Sequence, residues 1–173
     1  MHLTEEVEVR TATPADAPAI AQVHVRSWQS GYAGIVPADY LDALDTGAWT
    51  DAWTQRLDAG PADDVITWVA TAGPEVVGFA SVGPARDADA RRAEREVYSI
   101  YLAPDAWGSG VARELLRTVV EESGERTPLS LWVLADNERA RRFYRRHGFV
   151  PDGTEKTRTL GGAELAEVRY RRG

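Results

Sequence analysis

No cysteine occurs anywhere in this 173-residue chain. Its absence excludes disulfides, thiolate metal sites and a cysteine nucleophile. No apolar run is long enough to span a membrane, and no signal-peptide pattern opens the chain. Both absences predict a cytoplasmic protein without a membrane partner. Internal repeats, low-complexity tracts and domain linkers are also missing, so one domain over residues 1–173 is expected. His24 and His147 lack metal-ligand spacing to any other histidine or acid cluster, and no metal is expected. Acidic residues outnumber basic ones, 27 to 20, for a net charge of −7. That balance argues against a broad nucleic-acid surface and mildly favours a cationic substrate such as an amine.

The chain is richest in information at residues 100–116. A short apolar strand ends at Pro104, and a loop with Gly108 and Gly110 opens into a helix. Val111, Leu115, Leu116, Val119 and Val120 recur at helical spacing. The glycines let backbone approach a ligand closely. The N–H groups of Gly108, Ser109, Gly110, Val111 and Ala112 are expected to be free at the helix start. With the helix dipole they would form an anion site suited to a pyrophosphate. No Gly-Lys-Ser/Thr follows, which excludes the nucleoside-triphosphate loop. A dinucleotide fingerprint needs glycine or alanine where Arg113 stands.

The elements read in the order β-α-α-α-β-β-β-α-β-α-β-β. Strands are predicted at 7–11, 65–71, 76–83, 96–102 and 129–134, with a final hairpin turning at Gly161 and Gly162. Thr13 and Pro14 start the first helix, a second runs from Pro37 through Leu44, and a third covers 49–57. Residues 84–95 are polar and aperiodic, and read as a mobile connection or an excursion near the site. Asn137 is a good cap for the helix that carries Tyr144.

Two blocks together carry a family resemblance. Pro104, Trp107, Gly110 and Ala112 fit the pattern Q/R-x-x-G-x-G/A, with Trp107 in place of Gln or Arg. Asn137, Ala140, Tyr144, Gly148 and Phe149 fit N-x-x-A-x-x-x-Y-x-x-x-G-F. This combination resembles the GNAT superfamily of acetyl-CoA-dependent N-acetyltransferases. The resemblance implies an α/β fold: a mixed, mostly antiparallel sheet with one splayed parallel pair and helices on both faces. It implies that Ile100, Tyr101 and Leu102 offer backbone to the pantetheine arm. Gly108, Ser109, Gly110, Val111, Ala112 and Arg113 would meet the phosphates, and Asn137 would bind the cofactor, cap its helix, or do both. The arginines at positions 139, 141, 142, 145 and 146 read mainly as a solvated helix face.

Acetyl transfer to an amine needs loss of a proton from the ammonium, polarisation of the carbonyl and stabilisation of the departing thiolate. Without cysteine, the acyl group passes directly to the acceptor or through a hydroxyl. The resemblance makes Tyr144 the acid and Glu96 the base, with water as the alternative acceptor and Glu94 as a weaker substitute. Period-2 alternation puts Glu96 on one strand face with Tyr98, Ile100 and Leu102. Another acid position of the family holds Trp132, against a ribosomal-type enzyme. Trp28 and Tyr32 fall where the acceptor site is built, and aromatics there suit an alkyl amine or ammonium. His24 is expected to be packed, and His147 to suit a helix end. A primary amine of a small molecule or peptide is the expected acceptor, and a homodimer the expected assembly. Alternatives are a non-catalytic acyl-CoA sensor of the same fold, a nucleotide-dependent enzyme, and another donor such as succinyl-CoA.

Overall fold

The computed structural model describes residues 6–173. The leader reading falls partly on residues 1–5, outside the described residues. The strands are β1 (Val7–Thr11), β2 (Ile66–Ala72), β3 (Glu75–Pro84), β4 (Arg95–Leu102), β5 (Leu129–Leu134), β6 (Val150–Leu160) and β7 (Ala163–Arg172). The helices are α1 (Ala17–Gly31), α2 (Ala38–Asp42), α3 (Thr46–Ala59), α4 (Val111–Ser123) and α5 (Glu138–Arg146). This is the predicted order of elements. The seven strands form one sheet in the order β1-β2-β3-β4-β5-β7-β6. Every neighbouring pair is antiparallel except β4 with β5.

Helices cover both faces because each presents one apolar stripe. Val111, Leu115, Leu116, Val119 and Val120 of α4 are buried and pack with Ile100, Leu102, Leu131 and Val133. Tyr144 and Phe149 close the same cluster from the α5 side. Burying each such side chain stabilises the fold by about 1.5–3 kcal/mol. On the opposite face, Ile20, Ala21 and Val23 of α1 pack with Trp53, Val69 and Phe79.

One strand departs from the alternation read from sequence. Ser81 pairs with Ser99, but its neighbour Val82 pairs with Val97, so Tyr98 is an extra residue in β4. The bulge reverses the facing of all that precedes it. Ile100 and Leu102 lie in the α4 cluster, Tyr101 packs with the α1 cluster, and Glu96 belongs to the face of Tyr101.

Residues 84–95 are not a mobile connection. Arg169 of β7 is almost fully buried and binds Asp89 at 2.6 and 2.7 Å, Asp152 at 2.7 Å and Asp87 at 3.3 Å. Arg171 holds Glu94 at 3.0 Å, and Arg91 holds the same carboxylate at 3.2 Å. Arg95 pairs with Asp64 at 2.9 Å and anchors the far end. The segment is a strap drawn across the C-terminal strands, and it delivers Arg86 to the site.

Candidate active site

The parallel pair β4–β5 is hydrogen-bonded only at Arg95–Leu129 and Glu96–Ser130. Beyond Glu96 the strands diverge. The β5-facing backbone of residues 97–102 therefore lacks a strand partner, while its other edge is paired to β3. A chamber of about 800 Å³ occupies the divergence. Ile100 and Tyr101 line it from β4, residues 131–134 from β5, and Asn137, Arg139, Ala140 and Tyr144 from α5. Leu102 lies buried just past it.

The phosphate loop sits at the start of α4. Gly108 and Gly110 have φ of 74° and 89°, a conformation that favours glycine, and a Cβ at either would meet only open space. Glu114 donates the first helical bond, to Gly110, so Val111, Ala112 and Arg113 keep free N–H groups. Ser109 differs from expectation: its N–H is turned inward to the Ala106 carbonyl at 3.3 Å. Its hydroxyl also donates to Ala106. Arg113 is exposed beside Glu114. Trp107 carries the Arg139 guanidinium 3.7 Å over its ring. The arginines of α5 are more engaged than a solvated face, because Arg141 and Arg145 both donate to the Tyr170 hydroxyl, at 2.9 and 3.1 Å.

Asn137 caps α5, its side-chain oxygen accepting from Ala140 N–H at 3.3 Å. That cap sets the helix whose inner face buries Tyr144. Burial pushes the Tyr144 phenol well above its ordinary value, and the neighbouring Tyr101 adds to the shift. Tyr32 is raised in the same way, and its hydroxyl lies 3.1 Å from that of Tyr101. The phenols of Tyr32, Tyr101 and Tyr144 thus meet at the chamber. Trp28 adjoins them, 5.1 Å from Tyr32 between ring centres.

Glu96 lines the chamber but is already occupied. Its oxygens accept from Arg86 Nη2 at 2.6 Å, backbone N at 3.2 Å and Nε at 3.4 Å. Glu94 is buried in the strap, away from the chamber lining. Trp132 donates to Asp87 at 3.1 Å. A second buried carboxylate in the lining, Glu167, escaped the sequence reading. It pairs with Leu134 and Lys156 in strand register and forms no ion pair among the described residues. The available signal is period 2 in β7: Val168 and Tyr170 enter the α4 core, so Glu167 and Arg169 face the chamber side.

His24 is packed, as expected. Its Nδ1 accepts from Trp53 Nε1 at 3.1 Å, which puts the proton on Nε2. Burial, then the Arg56 and Arg158 charges, pull its pKa down to about 3, so the ring is neutral. His147 bonds the Phe143 carbonyl at 2.8 Å at the end of α5. Besides Arg86, which pairs with Glu96 and lies over Tyr98, four cations line the chamber over aromatic rings: Arg56 by Trp53 (5.1 Å), Arg158 by Trp28 (5.2 Å), Lys156 by Trp132 (4.1 Å) and Arg139 by Trp107. None of them makes an ion pair among the described residues. No group of three or more His, Asp or Glu side chains suited to a metal occurs among these residues either.

Comparison with known proteins gives a consistent result. The acetyltransferase (GNAT) family model matches residues 27–149. A probable N-acetyltransferase of Mycobacterium tuberculosis is 27% identical over 169 residues, covering 95% of this chain and 92% of its own. An uncharacterized N-acetyltransferase of Bacillus subtilis is 35% identical over 136 residues, 76% of this chain and 73% of its own. The crystal structure of the PaiA N-acetyltransferase of Thermoplasma acidophilum, in complex with coenzyme A, superposes with a TM-score of 0.77 at 18% identity, covering 96% of this chain and 98% of that one.

Proposed function

The chain belongs to the acetyltransferase (GNAT) family, and from that premise we propose that it passes the acetyl group of acetyl-CoA directly to a primary amine of a small molecule or peptide. The observation that carries the proposal is the divergence of β4 and β5 beyond Glu96, beside a glycine loop with free N–H groups and a buried phenol. The coenzyme A bound by the Thermoplasma neighbour supports the choice of cosubstrate.

In this proposal Gly108, Gly110, Val111, Ala112 and Arg113 present N–H groups to the pyrophosphate, with Arg139 adding charge near Trp107. Ser109 shapes the loop. Ile100, Tyr101 and Leu102 offer unpaired backbone to the pantetheine. Free N–H groups along the same edge stabilise the oxyanion that develops as the amine nitrogen attacks. The new C–N bond forms as the C–S bond breaks, and the electron pair leaves with sulfur. Tyr144 donates a hydrogen bond to that sulfur. A thiol has an ordinary pKa near ~8.5, below the ~10 of a tyrosine phenol, so the proton stays on the tyrosine oxygen in the transition state. The second proton that nitrogen sheds as it becomes an amide ends on the thiolate. Trp28 and Tyr32 wall the acceptor. A single catalytic domain, a cytoplasmic homodimer, and no nucleic-acid or membrane partner complete the proposal.

The ammonium proton goes to a carboxylate of the chamber. Glu96 is one candidate, although Arg86 already occupies its oxygens; the unpaired Glu167 is the better placed of the two, and water is the third acceptor. Thiol release in the two glutamine variants separates them. Glu167→Gln is expected to lower kcat/KM by about 10²–10⁴. A loss of that size in Glu96→Gln alone would return the role to Glu96, and wild-type rates in both variants would leave water.

A further inference from the structure

The acceptor half of the chamber runs against the charge of the chain. The protein is acidic, with a net charge of −7, yet two guanidinium groups line this recess without a carboxylate. Arg56 rests on the rings of Trp49 and Trp53, and Arg158 on Trp28. The Trp28 and Trp49 rings lie 6.3 Å apart between centres and both adjoin His24, so the two charges flank one aromatic recess. Two buried ring N–H groups of that recess, His24 Nε2 and Trp28 Nε1, have no acceptor among the described residues. Buried donors without an acceptor are costly and rare, and each needs an account.

All four groups are donors, and none can accept. A carboxylate is their complement, because it only accepts and offers about four lone-pair sites. The phosphates of the cosubstrate do not supply it. The glycine loop leads into α4 on one face of the sheet, whereas Arg56 rises from α3 on the other.

Resting on the acetyltransferase proposal, we infer that the acceptor is an amine that also bears a carboxylate, an amino acid or close analogue, with its carboxylate held between Arg56 and Arg158 and its amine directed to Glu167. The net charge of the chain, which by itself favours a purely cationic substrate, is overridden by the local donors. Rings lining the recess would enclose an apolar side chain.

Matched acceptors test this directly. L-alanine, L-leucine, L-methionine and L-phenylalanine are each compared with their carboxamide and their decarboxylated amine. Two readouts are taken: thiol release, and calorimetric binding to the protein saturated with coenzyme A. At least one free acid is expected to exceed its amide and its amine by about 10- to 100-fold in kcat/KM, the worth of charge-assisted hydrogen bonds. In Arg56→Gln and Arg158→Gln the ratio of acid to amide falls toward one. Among the described residues neither arginine makes an ion pair or hydrogen bond, so glutamine removes only their contacts with the Trp28, Trp49 and Trp53 rings. Amides or simple amines that match every acid would overturn the inference, as would an acid preference that survives the double variant, or no binding of any acid. Acid binding that needs both arginines, but without thiol release, would keep the carboxylate site and remove the acetyl-transfer proposal. Thiol release without acid preference would do the reverse.

Discussion

Tyr144→Phe lowers kcat by about ten- to a thousandfold and leaves acetyl-CoA affinity nearly unchanged, if the phenol acts on the departing sulfur. The effect falls on kcat because the hydrogen bond strengthens only as negative charge builds on sulfur. Removing the oxygen leaves the ring, so the packing of α5 on Phe149 and the α4 cluster survives. Burial raises the phenol above its ordinary value near ~10. The proton is therefore present throughout the working range, and Tyr144 adds no alkaline limb to the rate below about pH 10. Stopped or steady-state thiol release, with calorimetric titration of acetyl-CoA alongside, measures both quantities. Wild-type turnover in the variant would remove Tyr144 from the chemistry. Equal losses of turnover and affinity would make it a packing residue.

Arg169→Leu is the most damaging single change expected away from the chemistry. The guanidinium is 2% exposed and satisfies carboxylates from two segments at once: Asp87 and Asp89 in the strap, and Asp152 in β6. Removing one partner of such a buried network costs about 3–5 kcal/mol. Asp89 is exposed, which places the expectation near the lower end, about 3 kcal/mol. At roughly 2–4 °C per kcal/mol for a chain of this size, Tm falls by about 6–12 °C. Asp89 is held down to about 2, chiefly by its hydrogen bonds to Arg169. A carboxylate depressed in this way stabilises the fold fully above its unfolded value near ~3.9 and loses that contribution as pH falls toward 2. The variant should therefore lose the matching part of its acid sensitivity. Functionally, a freed strap lets Arg86 leave Glu96, so KM for the acceptor rises more than kcat falls. A variant as stable as wild type would show that the strap is held by its other anchors, Arg171 and Arg95.

Much of the fold is legible in the sequence because its elements are short and strongly periodic. The stripe of α4 and the glycines before it fix a strand–loop–helix unit, and Asn137 marks the start of α5. What is not legible has a common physical cause: it depends on partners distant in sequence. The bulge at Tyr98 is set by pairing with β3, so alternation within β4 alone places Glu96 on the wrong face. Residues 84–95 look mobile because their charges balance only against Arg169 and Arg171, about eighty residues later. The Ser109 N–H turns inward because Pro104 opens a 3₁₀ turn whose end reaches Ala106. Glu167 carries no motif, and its place is fixed only when β7 pairs with β5. The arginines at 56 and 158 look like ordinary surface charge until α3 and β6 meet over one recess.

Thermal unfolding with acetyl-CoA, coenzyme A, NADH and ATP in parallel tests the central claim most directly, since the slot between β4 and β5 and the α4 loop must hold a coenzyme A thioester. At ~100 times its dissociation constant a ligand adds roughly 2.7 kcal/mol, which is several degrees for a domain of this size. The account predicts a rise with acetyl-CoA and coenzyme A and none with NADH or ATP. A rise confined to NADH or ATP would contradict it.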